Sequence, residues 1–392
     1  MKIQKWIFQF AIVLIICCHF VACSQGPSKA DTTQDNKTKK ILPVKKYYYN
    51  EVAKFLAGIK PDTITPFNAL IKKSQWIRYS RSFDSTWAKV NDSSLVRVQK
   101  WSDSELRDIN NETKTLFYPF SGPDFLYATA FFPNAEKYIL FGLEKTGSIT
   151  DVKNLNDRNL NSLFVSINKA LENILNRSFF ITLNMSSQLN NQDVDGVLPV
   201  LMIFMARTGN TVKSIKNANI GVDGKVIVAD TFLSTRGQSR VDKGVEITFS
   251  PAGADSIVKK LYYFSADISD AGLAQNVGCK TYIQNIDSNV TTFIKSASYL
   301  LHSTLFVFMR NTVLSKSKFL LQDDSGIAYR FFDQKKWKFQ LYGTYDKPIP
   351  VFSYCFQKDL NTAYTASGSK PFDFKYGYGK GRNVLLARRI AN

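Results

Sequence analysis

Apolar residues recur along this chain at two different spacings. Leu160, Leu163, Phe164, Ile167, Leu171, Ile174 and Leu175 follow the i, i+3, i+4, i+7 stripe of an amphipathic helix. Upstream, Val52, Phe55, Leu56 and Ile59 precede Pro61, and Phe67, Leu70 and Ile71 follow it, which predicts two short helices in 46–72. Residues 102–112 (SDSELRDINNE) read as a further helix, with Ser102 or Asp103 as N-cap and Glu105 placed for a capping box. Residues 197–205 are apolar all round and lead to Arg207-Thr208-Gly209. They predict a buried helix closed by a glycine and too short to span a membrane.

Beyond Gly209 the pattern turns to strands. Residues 211–220 and 225–229 flank Val222-Asp223-Gly224 as a hairpin, and 245–249, 261–264, 319–322, 328–332, 337–342 and 384–387 read as further strands. Residues 290–309, carrying Phe293, Ile294, Ala297, Leu300, Leu301, Leu305 and Phe308, read as a second strong helix. Together these elements predict an α+β fold, a mainly antiparallel sheet packed with several helices.

The densest stretch is 117–144, FYPFSGPDFLYATAFFPNAEKYILFGLE. It reads as a loop, then a short helix entered at Pro123-Asp124 and stopped at Pro133-Asn134, then a strand over 138–143 buried on both faces. Glu144 ends that strand. A faint echo follows 181 positions later, where Phe125 matches Phe306, Lys137 matches Lys318 and Tyr138-Ile139-Leu140 match Phe319-Leu320-Leu321. Two halves of related construction are one reading of the echo. Chance repetition of an apolar pattern is the other.

Residues 1–22 have the three-part pattern of a targeting segment: Lys2 and Lys5, an apolar run from Trp6, and Ala22 before Cys23. Phe20-Val21-Ala22-Cys23 looks like a bacterial lipobox, which makes 1–22 a lipoprotein signal peptide and Cys23 the lipidated, palmitate-bearing residue. An uncleaved anchor and an ordinary signal peptide are the alternatives. Residues 23–44 then form a tether; its part 24–40 has no large apolar residue and would hold a domain ~20 Å from the lipid. The rest divides into a helix-rich half, 45–209, and a strand-rich half, 210–392, or one continuous domain. The expected location is the bacterial cell envelope. Ser24 after the cysteine points to the outer membrane, facing the periplasm or the cell surface.

The formal net charge is +19, of which Lys2 and Lys5 carry two, leaving +17 after residue 22. Such a surface suits anionic neighbours such as phospholipid headgroups or envelope polymers, or serves solubility alone. The expected location argues against nucleic acid. Trp76, Trp87 and Trp101, set among Lys and Arg, suit stacking on sugars, although such residues more often anchor helix packing.

The chemical inventory is narrow. His302 is the one histidine after residue 23, and Cys279 and Cys355 are the cysteines left there, without CxxC spacing. Histidine triads and zinc sites therefore lack parts, and no metal or cofactor is expected. Whether Cys279 and Cys355 pair is left open.

Carboxylate-pair chemistry needs only two acids in unlike environments, and Asp124, Glu144, Asp323 and Asp324 are its candidates. Asp323-Asp324 before Ser325-Gly326 equally reads as a turn, and adjacent strand residues pointing to opposite faces would not share a proton. The glycine-rich segment 376–382 (YGYGKGR) offers Gly377, Gly379, Lys380 and Arg382 as an anion cradle, or as a hairpin turn.

The segments FYPFSGPDFLY…FP…Y…FGLE, LLQDDSGI and GYG…R…LLA together resemble a family of uncharacterised bacterial lipoproteins and secreted proteins, over most of 75–390. The resemblance implies that the three segments belong to one architecture, and implies no activity. The first functional expectation is a lipid-anchored, non-catalytic binder of an anionic or glycan-containing envelope ligand. Its cleft is lined by Tyr118, Ser121, Gly122, Asp124, Asp323, Gly377, Gly379, Lys380 and Arg382. The alternatives are a carboxylate-dependent hydrolase of envelope glycans and an assembly subunit that meets another envelope protein.

Overall fold

The computed structural model describes residues 48–62, 66–180, 189, 194–230, 232, 244–378 and 383–390. The signal peptide, the tether with Cys23, and Gly379, Lys380 and Arg382 lie outside them. Within 44–392 the described strands form one sheet. They are β1 (Thr115–Tyr118), β2 (Lys137–Gly142), β3 (Thr211–Ile220), β4 (Val226–Val228), β5 (Gly244–Ser250), β6 (Lys259–Ser265), β7 (Val290–Ile294), β8 (Ser317–Gln322), β9 (Trp337–Tyr342) and β10 (Val384–Arg389). Their order is β4-β3-β5-β6-β2-β1-β7-β8-β10-β9, so strands from before and after residue 209 share the sheet.

The fold is a mixed α+β fold. Five of the nine strand pairings are antiparallel and make up the two flanks. The four central pairings, β6-β2, β2-β1, β1-β7 and β7-β8, are parallel. Continuous apolar strands suit that centre, because helices cover both faces of a parallel sheet.

Alternate residues of the central strands enter two cores. Leu116, Tyr118, Tyr138, Leu140 and Leu321 pack on one side, and Phe117, Ile139, Phe141 and Leu320 on the other. The first core is closed by α1 (Tyr48–Leu56), α2 (Phe67–Leu70), α3 (Ser74–Val90), α4 (Val96–Glu105), α5 (Arg107–Glu112), α6 (Phe125–Phe131), α7 (Asp157–Arg177) and α8 (Leu198–Arg207). The second is closed by α9 (Asp270–Gln275), α10 (Val277–Gln284), α11 (Val307–Lys316) and α12 (Lys358–Ser367). None of the described helices is long and apolar enough to cross a membrane.

Several elements differ from the pattern-based expectation. Residues 290–309 are not one helix: 290–294 are β7, 300–302 and 304–306 are short 3₁₀ turns, and α11 begins at Val307. Val290, Thr291, Thr292 and Ile294 are β-branched, and this outweighs an apolar spacing that either element satisfies. Residues 115–118, half of them read as loop, are β1, and 329–331 form a 3₁₀ turn instead of a strand. Ser102 caps nothing. It lies inside α4, buried, and donates to the Phe131 carbonyl at 2.6 Å.

The tryptophans split by role. Trp76 stacks on Phe55, and Trp101 packs edge-on to Phe131, Tyr342, Phe372 and Phe374, whereas Trp87 is half-buried on a cavity wall. No disulfide joins Cys279 to Cys355.

Candidate functional site

The two segments that echo each other in sequence are α6-β2 and α11-β8. Each closes a β-α-β unit with parallel strands, β1-α6-β2 and β7-α11-β8, and β1 and β7 are neighbours. Because α6 packs into one core and α11 into the other, the chain leaves β1 and β7 toward opposite faces. Sheets of this construction hold ligands at such a switch point, outside the carboxyl ends of the strands.

Lys295 directly follows β7 at this point. Its Nζ lies 2.7 Å from Asp124 Oδ2, with 1% and 2% of the two side chains exposed. It also sits 3.7 Å from the centre of the Tyr127 ring and donates to the Ser178 carbonyl, which α7 presents from its left-handed terminus. One carboxylate, one carbonyl and one aromatic face thus replace the water an ammonium loses on burial. Asp124 is positioned by local sequence, since it is the N-cap of α6 and accepts from Tyr127 N at 3.0 Å through Oδ1. The Tyr118 hydroxyl donates to its Oδ2 at 3.1 Å. Burial, then the Asp124 charge, holds the Tyr118 phenol well above its ordinary range, so it stays protonated and donating.

The chain after Lys295 is strained. Ser296, Ser298 and Tyr299 have φ of 54°, 52° and 57°, a region that residues with a Cβ enter at a cost of about 1–2 kcal/mol each. The turn after β8 holds this segment in place. Asp323 Oδ2 accepts from Ser296 N at 3.0 Å, Ser325 Oγ from Ala297 N at 2.8 Å, and Asp324 Oδ2 from the Tyr299 hydroxyl at 2.5 Å. The remaining Asp323 oxygen accepts from Ser325, and the remaining Asp324 oxygen from Asn383 Nδ2 at 2.9 Å.

Burial first, and then the Asp324 charge, push Asp323 up to about 7. Burial also raises Asp324. The two carboxyls make their hydrogen bonds to other groups, and Asp324 acts on Asp323 through its charge alone. β8 ends at Gln322, so strand alternation does not extend to them, and both turn inward.

Gly377 completes the cluster. Its φ is 63°, and a Cβ there would lie 1.9 Å from Asp323 Oδ2, so only glycine fits. On either side, the Tyr376 hydroxyl donates to the Ile294 carbonyl at 3.3 Å and that of Tyr378 to the Ser296 carbonyl at 2.6 Å. Half-buried rings stand around this group. Tyr378 meets Phe179 at 4.8 Å and Phe352 at 5.3 Å, and Phe352 meets Tyr299 at 5.0 Å. The His302 ring lies edge-on to Tyr299; burial, then the Arg330 charge, lowers its pKa to about 4 and keeps it neutral.

Tyr118 and Asp124 therefore meet at Lys295, and Asp323, Asp324 and Gly377 gather around the segment that follows it. Ser121, Gly122 and Glu144 sit at the end of β2 instead. Ser121 N, Ser121 Oγ and Gly122 N all bond the Phe141 carbonyl, and the Tyr263 hydroxyl bonds the Glu144 carbonyl at 2.7 Å. Lys295 and the 296–299 segment were missed in sequence. The signal was a lysine and three small residues interrupting an apolar run, which a single helix over 290–309 concealed. Among the described residues no His, Cys, Asp and Glu group is arranged to hold a metal ion. No family model, curated protein or solved structure matches this chain.

Proposed function

We propose that the protein binds a hydroxyl-rich, glycan-containing ligand of the bacterial cell envelope at the half-buried rings beside Lys295, without cleaving it. The observation that carries this reading is that both oxygens of Asp124, Asp323 and Asp324 are already bonded inside the protein. Carboxylates so engaged hold a loop and its rings in place and are poorly free to move protons. The half-buried rings Phe179, Phe352 and Tyr378 are suited to stacking on sugar faces.

Three buried carboxyls against one buried ammonium, at Lys295 and the segment after it, also favour a neutral ligand over an anionic one there. The basic surface then acts as a separate, salt-sensitive attraction to anionic envelope polymers. The lipobox at Cys23, the outer-membrane location and kinship with the uncharacterised lipoprotein family belong to the same proposal and rest on sequence pattern.

Thermal shifts of 41–392 with muropeptides, neutral oligosaccharides, lipopolysaccharide fragments and anionic lipids, at low and high salt, test it. A neutral glycan that raises the melting temperature at both salts, and fails to do so in Phe352→Ala or Tyr378→Ala, is the expected result. A shift with anionic lipid alone, lost at high salt, refutes the shaped site.

One observation favours hydrolysis as a second reading. Asp323, held near 7, and Asp124, paired with Lys295, are carboxyls in unlike environments. Product release from a bound glycan, lost in Asp323→Asn with binding retained, would move the assignment to it.

A further inference from the structure

The longest helical stretch among the described residues is interrupted in one place. From Ser74 to Glu105 the backbone is helical, with a π-helical turn, Asn91–Leu95, between α3 and α4. Such a turn gives up regular hydrogen bonding, and it recurs at sites where the displaced side chains are used. Here Asn91 and Leu95 line a cavity of about 380 Å³, within the range of small-molecule sites. Leu126, Tyr138 and Phe249 make its buried floor, and Gln99 and Ala252 are exposed at its mouth. Tyr138 lies at the start of β2, so the cavity is at the opposite end of the parallel strands from Lys295.

The charged groups on the cavity wall have one sign. Arg207 and Lys259 line it, and no Asp or Glu does. Arg207 has 7% of its side chain exposed. It lies over Phe83 and Trp87, donates through Nε to the Ala57 carbonyl and through Nη1 to the exposed Asp84, and keeps Nη2 buried against Gly58, so it gives the wall a charge rather than a free donor. Lys259, also buried, donates to the Pro133 carbonyl. Burial holds its ammonium below the usual lysine range, a cost that a bound anion would offset. Buried cations beside an apolar floor select a ligand that carries both features.

We propose that this cavity is a second ligand site, separate from the proposed site at Lys295, for a small amphipathic anion. Its apolar body lies on Leu126, Tyr138 and Phe249, and its anionic group is taken by Lys259, with the Arg207 charge beside it.

Calorimetric titration of the purified protein with octanoate and with uncharged 1-octanol tests the proposal. The expected result is one-to-one binding of octanoate, at least about tenfold tighter than octanol, as one charge-assisted hydrogen bond provides. Lys259→Met should weaken octanoate about tenfold and leave octanol unchanged. Ala252→Trp, at the exposed mouth, should block both; it alters no buried residue and keeps the test readable if Lys259→Met does not fold. Equal affinities for the two probes, no binding of either by protein with a native circular dichroism spectrum, or unchanged octanoate binding in folded Lys259→Met or in Ala252→Trp would each overturn it.

Discussion

Lys295 Nζ and Asp124 Oδ2 lie 2.7 Å apart in the interior, and this contact joins the end of β7 to the first turn of α6. The two β-α-β units of the sheet are therefore linked by charge at the point where their loops diverge.

Asp124→Asn should cost about 3–5 kcal/mol, because it leaves the Lys295 charge buried with only a carbonyl and a ring as partners. Urea unfolding at neutral pH measures this. Adding Lys295→Met should recover much of the loss, since removing both charges also removes the unpaired one. A cost below about 1 kcal/mol for Asp124→Asn would mean that the pair does not organise this region.

Gly377 and Gly368 form a matched pair for separating strain from collision. Both have positive φ, 63° and 65°, but a Cβ at Gly368 meets nothing within 4 Å, whereas one at Gly377 meets Asp323. Gly368→Ala should cost about 1 kcal/mol, and Gly377→Ala at least about 2 kcal/mol more, since Asp323 must give up its bonds to the 296–299 segment. Denaturation midpoints of the two variants decide it, and equal costs would refute the close packing.

The pH dependence of stability carries two opposed contributions. Asp323, raised from 3.8 to about 7 in the fold, binds its proton more tightly folded than unfolded. Its contribution is complete below 3.8 and is lost as pH rises through about 7. His302, lowered from 6.5 to about 4, behaves in reverse: its contribution is complete above 6.5 and is lost as pH falls through about 4. Between these limits each slope is at most about 1.4 kcal/mol per pH unit. Unfolding free energies from pH 4 to 8 should therefore rise more steeply with pH in Asp323→Asn than in the parent, and fall more steeply in His302→Gln. Parallel curves for all three proteins would refute both assignments.

Ser296→Gly should leave stability unchanged or raise it by about 1 kcal/mol. The serine is held at a φ of 54°, and its buried hydroxyl has no hydrogen-bond partner, so glycine removes strain along with an unsatisfied group. If the strain serves to hold the rings beside Lys295, the same variant should weaken glycan-dependent thermal shifts. A loss of more than about 1 kcal/mol in urea would show that the Ser296 side chain contributes a bond of its own.

Read alone, the residues settle whatever depends on neighbours close in the chain. The stripe from Leu160 to Leu175 specified α7, the run before Glu144 specified β2, Val222-Asp223-Gly224 specified the β3–β4 hairpin, and Gly209 ended α8. These signals together sufficed for a mixed α+β fold. Tertiary structure decided the rest. A strand covered on both faces and a helix covered all round leave similar apolar runs, so within 290–309 the break between β7 and α11 was marked only weakly, by Lys295 and the small residues after it. Strand direction depends on which crossover packs where, and the parallel centre was invisible for that reason.

The candidate site shows the same limit. Asp124, Asp323 and Gly377 could be singled out because turns and glycines mark them, but Lys295 looks like any solvated lysine until the fold removes its water. Its importance comes from Asp124, Tyr127 and Ser178, three partners that only long-range packing brings to one ammonium.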